Sequence, residues 1–250
     1  MKRGEGLQQF VRGFNLATNE DGLCGLLGEA AEWLGFERFA MTHHVDMARL
    51  PSDAIHLLNY DQDWMEIVVE RRYFIDHPIH KASTKTAVGF LWSDVGKMIT
   101  LTERQKKTLE RGRPFGLGEG FTIPVHVPGE YRGSCSFAAR SLDNLVPDAL
   151  PIAQLIGTFA FEAARRIVRD RRSDQFSGQV PDLTDRQLDC ITLAARGKTD
   201  WEIGRILGIS QATAHEHIES ARKRYSVSKR MQLVIRALAD GQISFSDILQ

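Results

Sequence analysis

Apolar positions follow two periods along the first 170 residues of the chain. Short or alternating apolar runs bounded by turn residues predict strands at residues 38–45, 54–59, 89–93, 120–127 and 131–139. Apolar residues at helical spacing predict helices at residues 22–34, 61–72 and 102–111, and a longer helix that carries Ile152, Ile156 and Ile167. Because helices precede, separate and follow the strands, we expect an α+β fold with an α/β/α sandwich whose sheet is antiparallel.

The C-terminal part carries the signals of short consecutive helices. Thr184-Asp-Arg-Gln187 and Thr199-Asp-Trp-Glu202 have the form of capping boxes, in which side chains pair with the first free N–H groups of a helix. Gly197 and Gly208 suit the left-handed conformation that ends a helix. We expect the second of these helices to bury Ile203, Ile206 and Leu207.

A third helix is predicted after the turn at residues 208–210, and it presents two stripes. The apolar stripe contains Ala214, Ile218, Ala221 and Tyr225, and the polar stripe contains Gln211, His215, Glu219 and Arg222. A short helix, a tight turn and a second helix with a polar front are what insertion into the major groove of DNA requires. Small helical bundles with charged, solvated faces show the same pattern, so that alternative stays open.

Composition supports a DNA-binding part only when the distribution of charged residues along the chain is considered. The chain has 250 residues, 42% of them hydrophobic and 26% charged, and its formal net charge is zero. Residues 204–240 nevertheless contain seven Lys or Arg against three Asp or Glu, a difference of +4. A basic patch on a neutral protein is typical of a phosphate-contacting module joined to a second domain. We expect the cations beside the polar stripe, Lys223, Arg224, Lys229 and Arg230, to contact phosphates.

A polar segment at residues 171–182 contains Gly, Ser and Pro and lacks an apolar period. We interpret it as a linker between two domains, residues 1–170 and 183–250. The cysteines Cys24, Cys135 and Cys190 are far apart and form no CxxC pair, which argues against a disulfide framework and a zinc site. No apolar run reaches about 18 residues and a signal peptide is not indicated, so we expect a cytoplasmic protein.

The C-terminal part combines a set of spaced positions, namely residues 183–187, 195–197, 202–203 and 207–210 with Thr213, His217 and Val227. In these positions, residues 183–238 resemble the LuxR/FixJ-type helix-turn-helix domain, a four-helix unit. Gln187, Ala214 and Arg224-Tyr225 depart from the usual Glu, Val and Lys-Leu, and each keeps the packing or the charge. The resemblance implies scaffold and backbone roles for Thr213 and His217. The implied DNA-binding residues are Ser210, Gln211, Thr213, His215, His217, Glu219, Arg222, Lys223, Lys229 and Arg230.

The N-terminal domain contains a series of spaced aromatic, amide and turn residues: Asn59, Tyr60, Trp64, Tyr73, Pro78, Trp92 and Gly120. In these positions it resembles the autoinducer-binding domain of LuxR-type quorum-sensing regulators, which bind N-acyl-homoserine lactones. This resemblance implies that Trp64 donates its indole N–H to the lactone carbonyl and that Tyr60 and Ser136 bond the acyl carbonyl. Trp92 is expected to pack on the lactone ring. Each of these residues, Tyr73 and Gly120 included, has an alternative role in the fold alone.

Two ligand-binding positions depart from the family pattern. The family usually has Asp directly before the Pro, where it accepts the amide N–H of the ligand, whereas this chain has His77 there and Asp76 one residue earlier. Neutral His77 could accept through a ring nitrogen, or Asp76 could replace it after a local shift. Val68 occupies the place of a usual Tyr, and this change predicts tolerance of a longer or unusual acyl group.

The two resemblances together imply a ligand-responsive transcriptional regulator of quorum sensing. The implied partners are an acyl-homoserine lactone, promoter DNA with a pseudo-palindromic site, a second copy of the chain, and RNA polymerase. A regulator that responds to a non-lactone compound, or to none, is the alternative. His43 and His44 point to opposite faces of a strand and no metal motif is present, and residues 133–136 lack the GxSxG elbow, so we expect no metal, no cofactor and no enzyme.

Overall fold

The computed structural model describes residues 3–127, 130–173 and 180–249. The chain divides into two compact units, one N-terminal and one C-terminal. Part of the predicted linker, residues 174–179, lies outside the described residues. Residues 171–173, which were predicted as linker, are instead the last residues of the final helix of the N-terminal unit, Ala149–Ser173. The regular backbone hydrogen bonds of this helix continue past the residues that pack on the core.

The described part of the N-terminal unit contains a five-stranded antiparallel sheet, as the sequence predicts. Its strands are β1 (Arg38–His43), β2 (His56–Leu58), β3 (Phe90–Leu91), β4 (Glu119–Val125) and β5 (Gly133–Ala139), in the order β2-β1-β5-β4-β3. The two edge strands are shorter than expected. At β3 the reason is local, because the chain turns into a 3-10 helix at Trp92–Asp94 directly after Leu91.

Three helices cover one face of the sheet and form the main core with it. They are α1 (Arg3–Leu16), α2 (Glu20–Leu34) and α7 (Ala149–Ser173). Side chains of alternate strand residues, such as Met41 of β1 and Phe137 of β5, are buried against them. The sequence prediction omitted α1, although Phe10 and Phe14 at i,i+4 spacing are its buried contacts with this core.

The opposite face is covered by shorter helices, which confirms the sandwich architecture. They are α3 (Gln62–Glu70), α4 (Pro78–Ser83), α5 (Val95–Met98) and α6 (Glu103–Gly112). Asp61 caps α3, and Thr102 with Gln105 forms a capping box that opens α6. Helices α4 and α5 span six and four residues, which is too short for an apolar period, and neither was predicted.

The C-terminal unit is helical. Its elements are α8 (Asp185–Ala195), α9 (Asp200–Leu207), α10 (Gln211–Arg224), α11 (Arg230–Ala239) and the short α12 (Phe245–Ile248). Both predicted capping boxes are present, and Gly197 and Gly208 have φ of +80° and +68°, as a left-handed helix end requires. The four-helix prediction is confirmed for α8–α11, and α12 is an addition to it.

The expectation that Ile206 is buried is wrong, since the residue is 55% exposed. On α9 the buried residues Ile203 and Gly204 and the half-buried Leu207 lie on one arc of the helix. Ile206 lies on the other side of Ile203, about 60° away, because successive residues rotate by about 100°.

Within the described ranges, no helix is both long and apolar enough to cross a membrane.

Candidate ligand cavity and DNA-binding surface

A cavity lies between the sheet and the short helices of the N-terminal unit. Its floor is formed by side chains that point away from the main core, including Ala40 of β1 and Ser136 of β5, and its walls come from α3, α4 and α6. The cavity volume is about 90 Å³, several times the roughly 10–15 Å³ that one water molecule needs. A small organic molecule is therefore the kind of occupant that fits it.

Six of the eight predicted ligand-binding residues line this cavity: Tyr60, Trp64, Val68, His77, Trp92 and Ser136. The other two, Tyr73 and Asp76, do not. The Tyr73 hydroxyl accepts a hydrogen bond of 2.9 Å from Arg111. Asp76 is exposed, and its carboxylate accepts a hydrogen bond of 3.0 Å from the buried Gln105 amide. Asp76 is thus held away from the cavity, and His77 is the residue of this pair that faces it.

Two polar groups in the cavity wall have no protein partner. Among the described residues, nothing accepts a hydrogen bond from the Trp64 indole N–H, and nothing pairs with the Tyr60 hydroxyl. Trp64 is held in place by packing against Tyr73 and Phe115, at ring-centroid distances of 6.2 and 5.5 Å. Burial raises the pKa of Tyr60, so its hydroxyl remains protonated. Both groups are therefore positioned donors inside a largely apolar cavity.

Trp92 and Ser136 differ from Trp64 and Tyr60, because Trp92 and Ser136 already belong to one chain of hydrogen bonds. The Trp92 indole N–H donates to the Thr122 hydroxyl at 2.8 Å, and Thr122 and Ser136 hydroxyls lie 2.8 Å apart. Gly120 permits this arrangement, since a Cβ there would lie 2.6 Å from an indole carbon of Trp92. The backbone of Gly120 therefore lies close against the Trp92 ring. Trp92 can offer its ring face to a ligand, while its N–H serves the fold.

Several lining residues were not predicted from the sequence. The apolar ones include Met47, Leu58, Met65, Phe74, Ile79, Leu109 and Leu117. The polar ones include Thr42, His56, His80 and Ser134. Alternation along β1 and β5 could have identified Thr42 and Ser134, because they lie on the same face as Ala40 and Ser136.

A cluster of stacked imidazole rings borders the cavity. The rings of His44 and His80 stack at a centroid distance of 3.8 Å, and those of His77 and His80 lie 4.8 Å apart. Burial lowers the pKa of His77 to about 4 and, together with neighbouring histidines such as His126, lowers that of His44 to about 3. These rings are therefore neutral near pH 7. In the part of the chain that the structure describes, no group of three or more His, Cys, Asp or Glu could hold a metal ion.

The predicted helix-turn-helix consists of α9, a turn, and α10. Gly204 packs so tightly on the turn that a Cβ there would lie 2.8 Å from the Ile209 carbonyl oxygen. Ser210 caps α10 by accepting from the Thr213 N–H at 3.0 Å, and the Ser210 and Thr213 hydroxyls are 2.8 Å apart. These two residues fix the start of α10, whose buried side consists of Ala214, Ile218 and Ala221.

The exposed side of α10 carries the predicted polar stripe, whose residues differ in exposure and in whether they are already paired. Gln211 is exposed and, among the described residues, has no hydrogen-bond partner. His215 is 61% exposed while its Nδ1 lies 2.8 Å from the Asp200 carboxylate. Glu219 and Arg222 form an ion pair with each other and are less exposed. The first half of the helix therefore presents side chains that need the least rearrangement to contact another molecule.

The predicted phosphate-contacting cations also differ in exposure and in whether they are already paired. Lys223 and Lys229 are exposed, whereas Arg230 is tied by an ion pair to Asp200 and donates to the Lys198 carbonyl at 2.7 Å. Although partial burial opposes ionisation, hydrogen bonds from His215 and Arg230 lower the pKa of Asp200. Asp200 thus joins α9, α10 and α11. His217, the remaining predicted residue, is half-buried.

Comparison with known families agrees with both parts of the chain. Residues 19–164 match the family described as "Autoinducer binding domain", and residues 181–237 match "Bacterial regulatory proteins, luxR family". The chain belongs to the LuxR family of transcriptional regulators. It is an autoinducer-binding regulator with a helix-turn-helix DNA-binding domain, and the family consists of regulators and not of enzymes.

Individual relatives extend the match over most of the sequence. The chain is 27% identical to the transcriptional activator protein AhyR of Aeromonas hydrophila, over 94% of this chain and 91% of AhyR. It is 29% identical to y4qH of Sinorhizobium fredii, over 85% of this chain and 64% of that longer protein. Among solved structures, Escherichia coli SdiA in complex with octanoyl-rac-glycerol has the same fold, with a TM-score of 0.67, 20% identity and 98% of both chains covered.

Proposed function

We propose that this LuxR-family regulator binds an N-acyl-homoserine lactone in the N-terminal cavity and a pseudo-palindromic promoter site as a homodimer. The observation that carries the ligand proposal is a pair of donors, Trp64 N–H and Tyr60 O–H, that have no acceptor within the described part of the chain and lie in a cavity whose other walls are largely apolar. An acyl-homoserine lactone is a neutral amphiphile with two carbonyl oxygens and one amide N–H. The donors match its carbonyl oxygens, and the apolar wall matches its chain.

The amide N–H of such a ligand needs an acceptor, and His77 is the residue that supports this role. Its ring is neutral near pH 7 because burial lowers its pKa to about 4. Its Nδ1 is buried without a hydrogen-bond partner among the described residues. Since a neutral imidazole has one nitrogen that accepts, His77 can replace the carboxylate found at this position in the family. Asp76, engaged by Gln105, is the weaker candidate.

The ligand proposal is tested by measuring dissociation constants for a panel of acyl-homoserine lactones, with Tyr60→Phe and Trp64→Phe as variants. Each removes one donor and keeps an aromatic ring, and each is expected to weaken binding about three- to tenfold. Tyr131→Phe is the matched control, because Tyr131 is 42% exposed and does not line the cavity. Absence of binding by every lactone would reject this ligand class.

A second candidate is a neutral acyl compound without a lactone ring, and the observation that favours it is the imidazole of His77. A carboxylate accepts hydrogen bonds only, whereas the neutral imidazole both donates and accepts. A ligand hydroxyl in place of the amide could donate to either group, but it could accept a hydrogen bond only from His77. Acyl glycerols included in the same binding panel distinguish the two candidates directly.

For the DNA-binding unit, the exposed polar start of α10 supports insertion into a major groove. Selection from random DNA should yield two inverted half-sites, because a two-fold symmetric dimer presents two copies of α10. Gln211→Ala should reduce the discrimination between sites, since Gln211 can pair with a base edge. Lys229→Gln should weaken binding to all sequences and reduce its salt dependence. A single half-site, or a monomer at saturating DNA in light scattering, would contradict the dimer.

A further inference from the structure

The two ends of the ligand cavity differ in chemistry. Strand pairing places Thr42 of β1 between His56 of β2 and Ser134 of β5 in one cross-strand row. Trp64, by contrast, belongs to the packed cluster that contains Ala138, four residues further along β5. At about 3.3 Å per residue, these two levels of the sheet are about 13 Å apart. We name the level of Thr42, His56 and Ser134 the distal end of the cavity, and we include His80 at its border towards the head group, because the His80 ring lies 4.8 Å from that of His77.

His80 belongs to the distal end through His44. The Nε2 atom of His44 lies 2.9 Å from the Ser134 hydroxyl, and the His80 ring stacks on the His44 ring. His80 lines the cavity, and its Nδ1 is buried with no hydrogen-bond partner among the described residues. Among the residues that the structure describes, nothing forms a hydrogen bond with the Thr42 hydroxyl or with the His56 ring. The distal end therefore contains three polar groups without a protein partner.

An acyl tail ending in a methyl group would cover these groups without pairing them. Buried polar groups without hydrogen bonds are costly, so such a tail is a poor match for the distal end. Burial lowers the pKa of His80 and His56, which leaves both rings neutral, each with one donor and one acceptor nitrogen. No Lys, Arg, Asp or Glu lines the described cavity, so a charged tail would have no counter-ion. A hydroxyl, which donates and accepts without charge, fits.

Building on the proposed function, we propose that the natural ligand carries an uncharged hydroxyl-bearing group at the far end of its acyl chain, bound by His80 and the Thr42–His56 row. In the proposed pose the head group lies at Trp64, as the family resemblance implies. The tail then runs along β1 and β5 towards the distal end. Val68, which leaves room in the wall where the family has a larger side chain, is compatible with a bulky tail.

The test compares two ligand series that differ at one atom. Dissociation constants are measured for acyl-homoserine lactones of increasing chain length that end in a methyl group, and for their counterparts that end in a hydroxyl. At the length that reaches the distal end, we expect the hydroxyl ligand to bind about tenfold more tightly than its methyl counterpart. His80→Phe should abolish this preference, so that the ratio of the two dissociation constants falls to about one. His126→Phe is the matched control, since this ring does not line the cavity and should preserve the preference.

The outcomes separate this inference from the proposed function. If the methyl series binds more tightly at every length, or if His80→Phe leaves a hydroxyl preference intact, the inference is overturned while lactone binding stands. If neither lactone series binds, the same pairs are measured as acyl glycerols. A hydroxyl preference there would support the distal site and reject the lactone, and no preference or no binding in any series would overturn both.

Discussion

Lowering the pH from 7 to 5 is expected to destabilise the N-terminal unit through its buried histidines. Burial lowers the pKa of His77 to about 4, and burial with neighbouring rings lowers that of His44 to about 3. In the unfolded chain both groups titrate at about 6.5. Since the folded pKa lies below the unfolded one, the unfolded chain takes up protons first as the pH falls. The stabilising contribution is therefore complete above about pH 6.5 and decreases towards pH 4.

The size of this effect follows from the same pKa values. Between pH 6.5 and pH 5, each buried neutral ring lowers the free energy of unfolding by about 1.4 kcal/mol per pH unit. From pH 7 to pH 5 the loss is about 2 kcal/mol for each ring, and about 4 kcal/mol for His44 and His77 together. This is a large part of the 5–15 kcal/mol that is typical of folded proteins. Ordinary Asp and Glu titrate below this window.

The assay is urea unfolding at several pH values between 5 and 7, followed by tryptophan fluorescence. The chain has four tryptophans, and Trp201 alone lies in the C-terminal unit. In a Trp201→Phe background the signal therefore reports the N-terminal unit. His44→Phe and His77→Phe should each reduce the pH slope by about 1.4 kcal/mol per pH unit. The control is His215→Gln, which replaces an exposed histidine of the other unit and should leave the slope unchanged.

An unfolding free energy that stays constant from pH 7 to pH 5 would refute the reasoning, because it would mean that the rings take up protons over the same pH range in the folded and the unfolded chain. The same conclusion would follow if both phenylalanine variants kept the original slope. A general loss of stability without a change in slope would show instead that the rings contribute only by packing. The pH slope of the unfolding free energy, and not the stability at one pH, is thus the quantity that distinguishes protonation of the rings from packing alone.

Three substitutions test contacts that lie within one unit or the other. Gly204→Ala should destabilise the C-terminal unit by about 1–3 kcal/mol, because its Cβ would overlap the turn before α10; Trp201 fluorescence during urea unfolding measures this. Gly120→Ala should displace the Trp92 ring and raise ligand dissociation constants severalfold, whereas Gly25→Ala, with open space at its Cβ, should not. Asp200→Asn should lower the stability of the C-terminal unit by about 1 kcal/mol through its weakened ion pair, and unchanged urea midpoints would contradict this.

Local signals in the sequence were sufficient for most of the fold. Capping residues such as Thr184 and Thr199 define where α8 and α9 begin, because the cap interacts only with its own first turn. Alternation placed the adjacent residues His43 and His44 on opposite faces, and the structure shows His43 beside Phe161 of the main core and His44 beside His80. Such features depend on a few neighbouring residues, so they can be read without knowing the tertiary contacts.

The walls of the cavity could be predicted only in part. Trp64 and Tyr60 were found because the family resemblance identifies them, and the spacing of the residues alone would not distinguish them from core aromatics. His80 lies in a helix of six residues, which is too short to show a period. Its contact with His44 joins α4 to the end of β1 across 36 positions of the chain. Contacts of that kind are set by how the elements pack, which a single sequence does not contain.

The unpartnered polar groups of the cavity connect ligand binding to the stability of the N-terminal unit. Without a ligand, His77 and His80 each have a buried nitrogen with no partner among the residues that the structure describes, which lowers the stability of the fold. A ligand that pairs these atoms binds only the folded chain and stabilises it, by about 2.7 kcal/mol at a free concentration one hundred times its dissociation constant. This gain is of the same order as the loss expected at pH 5. A saturating ligand should therefore offset most of the acid destabilisation, and its effect on the unfolding midpoint should be largest when it pairs both histidines.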